Sequence, residues 1–178
     1  MPRNVRAILS KVFTHRPGRD GQPAPCETWD NATLLCEAMD PTTRQIFPLT
    51  IKTQRIAPGE KNSWYFEILG TRRSARFSTK QANALQFLDY SGGEQPWQHL
   101  DMGQEMTYPV ISGGIFEAGF SDVILQMWAA YLHELVHGHT PGPFAGCVTP
   151  RETQQHHEVL TAALESHRTC TVVTVNGD

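Results

Sequence analysis

The chain has 178 residues, 39% hydrophobic and 19% charged, which is enough apolar material for one globular domain with a core of its own. Its 15 Lys and Arg against 18 Asp and Glu give a formal net charge of −3, which argues against a nucleic acid or an anionic membrane held by bulk charge. No apolar run reaches the length of a membrane span, and MPRNVRAILS has no h-region of a signal peptide.

In chain order, residues 5–14 read as a first strand, with Val5, Ala7, Leu9 and Phe13 on one side and Ile8 and Val12 on the other. A buried strand so soon after the first residue suggests missing sequence upstream. Residues 16–25, RPGRDGQPAP, are dense in Pro and Gly and read as a loop. Residues 33–39 and 49–56 are further strands, the second alternating Leu49, Ile51 and Thr53 against Thr50, Lys52 and Gln54. In residues 61–78, KNSWYFEILGTRRSARFS, Trp64, Phe66 and Ile68 alternate with Ser63, Tyr65 and Glu67. Gly70 then breaks the run and a second strand returns through Arg76 and Phe77, which is a hairpin signature. An aromatic hairpin needs more strands or a helix to cover its apolar face. Residues 83–90 read as a strand and 97–102 as a short edge strand.

After Gly114 the period changes. Ser121 is a candidate N-cap, and Val123, Ile124, Met127, Trp128, Tyr131 and Leu135 share one helical stripe, read as core under a sheet face. Gly138 can end that helix. Thr149, Pro150 and Glu152 start a second helix with a capping box and Pro in the first turn; it runs to about His167. TCTVVTV, residues 169–175, is a last strand. Strands in succession followed by two helices predict an α+β fold: an open, mainly antiparallel sheet with helices packed on one face.

His133, Glu134 and His137 spell H-E-L-V-H. Residues four apart share a helix face, so two imidazoles can meet one Zn²⁺ with Glu134 as general base of a small hydrolase. His139, Glu152 and Glu158 are candidate third ligands. Against this, Thr140 stands where the longer motif has Gly. Both imidazoles also sit at a helix C-terminus, where polar or cationic side chains meet free carbonyls. The plainer reading is a polar helix end with no metal, and His156 and His157 belong to a solvated face. Cys26, Cys36, Cys147 and Cys170 form no C-x-x-C pair and read as reduced thiols of a cytoplasmic protein. No phosphate-cradling G-x-G-x-x-G or G-x-x-x-x-G-K and no nucleophile elbow is present.

The order of segments carries a resemblance. The W-D-N-A-T entry at 29–33, the hairpin strand ending in Gly70, the helix FSDVILQMWAAYLHELVHG and the closing T-P-x-E … E-S helix at 149–166 resemble the C-terminal domain of the Gfo/Idh/MocA oxidoreductases. The resemblance runs from about Val5 to Val175. It implies that residues 1–178 are a single C-terminal substrate and oligomerisation domain, with the N-terminal Rossmann domain absent. It implies NAD or NADP in full-length members and no cofactor, catalytic lysine or catalytic residue in this chain. It further implies a sugar or cyclitol substrate and a homo-oligomer formed through the exposed sheet face. The loop into the hairpin then offers Arg55, Lys61, Asn62 and Trp64 as substrate contacts, although Trp64 also fits the core and Arg55 and Lys61 a solvated loop. In that scheme the H-E-L-V-H helix only packs.

Overall fold

The computed structural model describes residues 1–103, 106–111, 114–142 and 146–175. These form two compact units, the first from Met1–Gly59 with Val148–Asp178 and the second from Glu60–Cys147. Every strand pairing is antiparallel, and the fold is α+β with open sheets, as the sequence predicts. The strands are hydrogen-bonded as two four-stranded sheets and a separate two-stranded ribbon.

The first unit holds β1 (Pro2–Ser10), β2 (His15–Pro17), β3 (Pro23–Pro25), β4 (Asn31–Met39) and β5 (Ile46–Gln54). The long helix α2 (Pro150–Thr169) and β10 (Val173–Thr174) complete it. The sheet order is β10-β1-β4-β5. Register explains its core. Val5 pairs with Cys36 and Ala7 with Leu34, so one face of β1 and β4 presents small and branched apolar side chains together. Helix α2 lays Val159, Ala162 and Ala163 onto that face. The small alanines let helix and sheet approach closely, and Val5 and Ala7 are wholly buried. The other face of β1 stays open, with Ile8 63% exposed, so only one of the two apolar sides read from the sequence is covered.

The turn-rich 16–25 segment is not only loop. Gly18 and Gly21 close a tight turn, and Arg16 pairs with Ala24 across the β2–β3 ribbon. Only two residues of the segment 169–175 are strand. Thr169 closes α2, and Cys170 takes the left-handed conformation (φ 56°) as its C-cap, leaving two residues for β10.

The second unit holds β6 (Tyr65–Leu69), β7 (Arg73–Ser78), β8 (Ala84–Asp89), β9 (Gln98–Asp101) and α1 (Phe120–His137). The hairpin forms, but Gly70 is not there for a positive φ. A Cβ at Gly70 would lie 2.5 Å from the Arg73 carbonyl oxygen, so close backbone approach is what requires glycine. Helix α1 starts two residues earlier than Ser121 suggests. Gly119 is its N-cap, and the Asp122 carboxylate accepts from the Gly119 N–H at 2.8 Å. Gly138 ends it in the left-handed conformation, φ 73°.

The apolar stripe of α1 corrects the sequence reading. Val123, Met127, Trp128 and Leu135 are all about half exposed or more, and Ala130 is the one buried residue described in the helix. Periodicity fixed which face of α1 is apolar; it did not fix what covers it.

Candidate functional site

Of the four residues proposed as substrate contacts, all are exposed. Arg55 follows β5 in the first unit, its backbone N–H donating to the Asp30 carbonyl at 2.8 Å. Lys61, Asn62 and Trp64 belong to the second unit and lead into β6. Asn62 holds φ 46°, a left-handed turn residue, and Trp64 donates its backbone N–H to Thr79 Oγ1 at 2.9 Å. Its indole is not core: Trp64 is 68% exposed. The backbone bond to Thr79 fixes the residue while the side chain faces out.

The H-E-L-V-H helix end gathers its imidazoles. The rings of His133 and His137 lie 4.4 Å apart by centroid, and His139 stands 5.8 Å from the first and 6.2 Å from the second. Glu134 is turned to other work: its Oε1 accepts from the Cys147 N–H at 2.7 Å and ties the following loop to the helix. Among the described residues no three His, Cys, Asp or Glu side chains are arranged to hold a metal ion. Burial lowers the His133 pKa, and the neighbouring imidazoles of His137 and His139 lower it further. A neutral His133 fits that setting, with the Tyr108 ring 5.9 Å away.

Asp30 forms a polar centre in the first unit that the sequence shows only as an unpaired acid. It is buried, and its Oδ2 accepts from the N–H groups of Val12 at 2.7 Å and Phe13 at 3.0 Å. Arg16 completes the shell as an ion pair. These bonds, the Phe13 N–H foremost, hold its pKa below the ordinary value. The Cys26 thiol beside Arg16 is lowered as well, first by the Thr28 hydroxyl. Here carboxylate and guanidinium fasten a ribbon to a sheet.

One face of the second sheet carries a polar row, beside Leu69, Ala84 and Leu88, of which the last two are buried. Glu67 pairs with Arg76, Arg76 with Gln86 and Gln86 with His99, a polar row across all four strands. Tyr65, Ser78 and Asp101 share that face two residues along. The opposite face carries Phe66, Ile68, Ala75, Phe77, Leu85, Phe87 and Leu100, with Phe66 and Phe77 stacked at 5.7 Å. On the polar side Arg76 is fixed twice. Its Nε donates to Gln86 Oε1 at 2.5 Å, and its guanidinium lies 4.2 Å from the Trp97 ring centroid. A cavity of about 170 Å³ opens there, lined by Tyr65, Arg76, Ser78, Gln81 and Gln86 among others. The Tyr65 hydroxyl is pushed up by desolvation and then by the Glu67 carboxylate beside it. A larger groove of about 460 Å³ runs along α2 past His157, Glu158 and Glu165 to Thr174, but it is open and holds no aromatic platform.

Sequence reasoning missed Arg76, Gln86, Trp97 and His99. The alternation of β6 shows Tyr65 and Glu67 on its polar side. Only cross-strand register brings the other strands' polar residues into line with them.

The described residues have an α+β fold with open sheets. No protein-family model and no curated protein matches the sequence. Solved structures do match. Levoglucosan dehydrogenase in complex with NADH superposes with a TM-score of 0.75 at 19% identity, over 99% of this chain and 45% of that one. An oxidoreductase domain protein from Kribbella flavida gives 0.74 at 18% identity, over 99% and 45%. An NAD binding oxidoreductase from Klebsiella pneumoniae gives 0.71 at 22%, over 99% and 46%. The chain therefore spans a little under half the length of the oxidoreductases whose fold it shares. The resemblance to a Gfo/Idh/MocA C-terminal domain is carried by the fold. No described helix is long and apolar enough to cross a membrane.

Proposed function

We propose that these residues are the substrate and oligomerisation domain of an NAD(P)-dependent oxidoreductase acting on a sugar or cyclitol. The observation that carries this is the fold match, which uses 99% of this chain but only about 45% of levoglucosan dehydrogenase. In this reading the coenzyme-binding half and the proton-transferring residues are not among residues 1–178, and the domain is catalytically incomplete alone. Arg55, Lys61, Asn62 and Trp64 are exposed loop residues, a placement suited to contacting substrate hydroxyls. The apolar face of the second sheet supplies the surface for a homo-oligomer. Four free thiols agree with a cytoplasmic protein.

The test is coenzyme-linked oxidation of a panel of sugars and cyclitols, followed by the absorbance of reduced coenzyme. It is run once with residues 1–178 alone and once with the same residues joined to the polypeptide encoded upstream in frame. Turnover by the longer chain only is the expected result. Turnover by residues 1–178 alone, or by neither, overturns the proposal.

A further inference from the structure

We propose that His133 and His137, four residues apart over the last turn of α1, chelate one divalent transition-metal ion of the zinc, nickel or copper class, as a binding site that carries no hydrolytic step. This goes beyond the oxidoreductase reading and does not depend on it.

The first argument is spacing. An imidazole held through nitrogen at about 2.0–2.1 Å places its ring centre about 3.2 Å from the ion, so two rings at a coordination angle of about 90–110° stand about 4.5–5.2 Å apart by centre. The rings of His133 and His137 are 4.4 Å apart and inclined at 44°, so the pair meets that requirement with almost no adjustment. His139 stands 5.8 Å and 6.2 Å from them. That is up to roughly 1 Å too far to share the ion, so among the described residues no three side chains are set on one metal. Water takes the remaining positions.

The second argument is an unpaired ligand atom. His133 Nε2 is buried without a hydrogen-bond partner among the described residues. The Tyr108 hydroxyl, on a ring 5.9 Å from His133, is in the same state and can accept from a metal-bound water. A buried polar atom left unpaired is costly, and an ion satisfies a bare imidazole nitrogen. Burial first, then the imidazoles of His137 and His139, hold the His133 pKa down, so its lone pair is free to bind. The third argument is the donor set. The Glu134 carboxylate is near enough to oppose that lowering and favours a cation beside it. It is not free to act as a general base, since its Oε1 holds the Cys147 N–H at 2.7 Å. The Cys147 thiol donates instead to the Met127 carbonyl, 3.8 Å away. Two neutral nitrogens suit a zinc-, nickel- or copper-class ion, whereas Mg²⁺ and Ca²⁺ take oxygen.

The test uses the whole 178-residue chain without a histidine tag, stripped with EDTA. Ni²⁺ and Mg²⁺ are titrated by calorimetry and Co²⁺ by visible absorption. The expected result is about one Ni²⁺ per chain with Kd on the order of 1–100 μM, no binding of Mg²⁺, and cobalt ligand-field bands without a sulfur charge-transfer band. His133→Ala and His137→Ala, each checked by circular dichroism for retained helix, should weaken Ni²⁺ about tenfold or more, since each removes one arm of the chelate. His156→Ala and His157→Ala, on α2, should leave Kd within about twofold of the parent, because adjacent residues do not share a helix face. His137 is exposed, so its variant carries the comparison if His133→Ala does not fold. Four results overturn the proposal: no Ni²⁺ binding tighter than about 1 mM, a His137→Ala variant that weakens less than about tenfold, a His156→Ala or His157→Ala variant that weakens as much as His137→Ala, or a sulfur-to-cobalt band, which would move the ion to a cysteine. Because the readout is metal binding with neither coenzyme nor sugar present, it can fail while the oxidoreductase reading stands, and succeed while that reading falls.

Discussion

Asp30 shows how a single side chain can organise backbone. Two amides of the segment after β1 and one guanidinium of β2 all end on its carboxylate, which is buried. A carboxylate that collects N–H bonds is stabilised in its charged form, so the folded pKa lies below the ordinary 3.8. With the folded value depressed, the contribution is full above the unfolded value and is lost as pH falls through the folded one. Asp30→Asn should therefore lower the denaturation midpoint at neutral pH. The difference from the parent should close as the pH is taken below 3.8. A gap that stays constant down the acid limb in chemical denaturation would show that the charge does not matter. Ser166 makes a second such case. Its hydroxyl donates to the Thr171 carbonyl at 2.5 Å and accepts from the Ala7 N–H at 3.0 Å, and it is wholly buried. Ser166→Ala leaves that amide without an acceptor under the α2–sheet core, and should cost about 1–3 kcal/mol in urea unfolding. Neither role was legible in the sequence. Both depend on partners distant in the chain: only the fold brings residue 7 to residue 166.

At the scale of elements, legibility follows how local the determining interaction is. The start of α2 is set within four residues. Thr149 Oγ1 accepts from the Glu152 N–H at 3.2 Å, and Glu152 Oε2 accepts from the Thr149 N–H at 2.8 Å, as the T-P-R-E sequence predicts. Thr149→Ala should cost about 1 kcal/mol and lower the thermal midpoint, because α2 supplies the helical half of the core. A midpoint unchanged within error would mean that the Glu152 carboxylate alone holds the turn. The hairpin β6–β7 was legible for the same reason: alternation and a glycine are local signals. Two features were not legible because each depends on a distant partner. The 16–25 segment forms a ribbon next to the Arg16–Asp30 pair, and pattern alone gives its Pro-rich composition no strand signal. The α1 stripe is amphipathic as read, yet its side chains are exposed, since periodicity says nothing of the covering surface.

At the scale of the molecule, the two faces of the second sheet make opposite demands. Monomeric proteins rarely expose a contiguous apolar patch of more than a few hundred Å². Here Phe66, Ile68 and Leu100 are each about half exposed or more, on the same face as Phe77, Leu85 and Phe87. The Arg73–Asp89 pair at 2.5 Å stands at one border of that face, a polar rim beside an apolar centre. A twofold contact is self-complementary by construction, so one apolar sheet face can serve both partners without a second surface. The proposed homo-oligomer uses this face. Ile68→Lys places an ammonium at its centre and should halve the mass seen by light scattering while leaving the far-ultraviolet circular dichroism intact. Ser78→Lys adds the same charge to the polar face and should leave the mass unchanged. A parent that is monomeric at all concentrations, or a Ser78→Lys variant that dissociates as readily as Ile68→Lys, would remove the apolar face as the site of assembly.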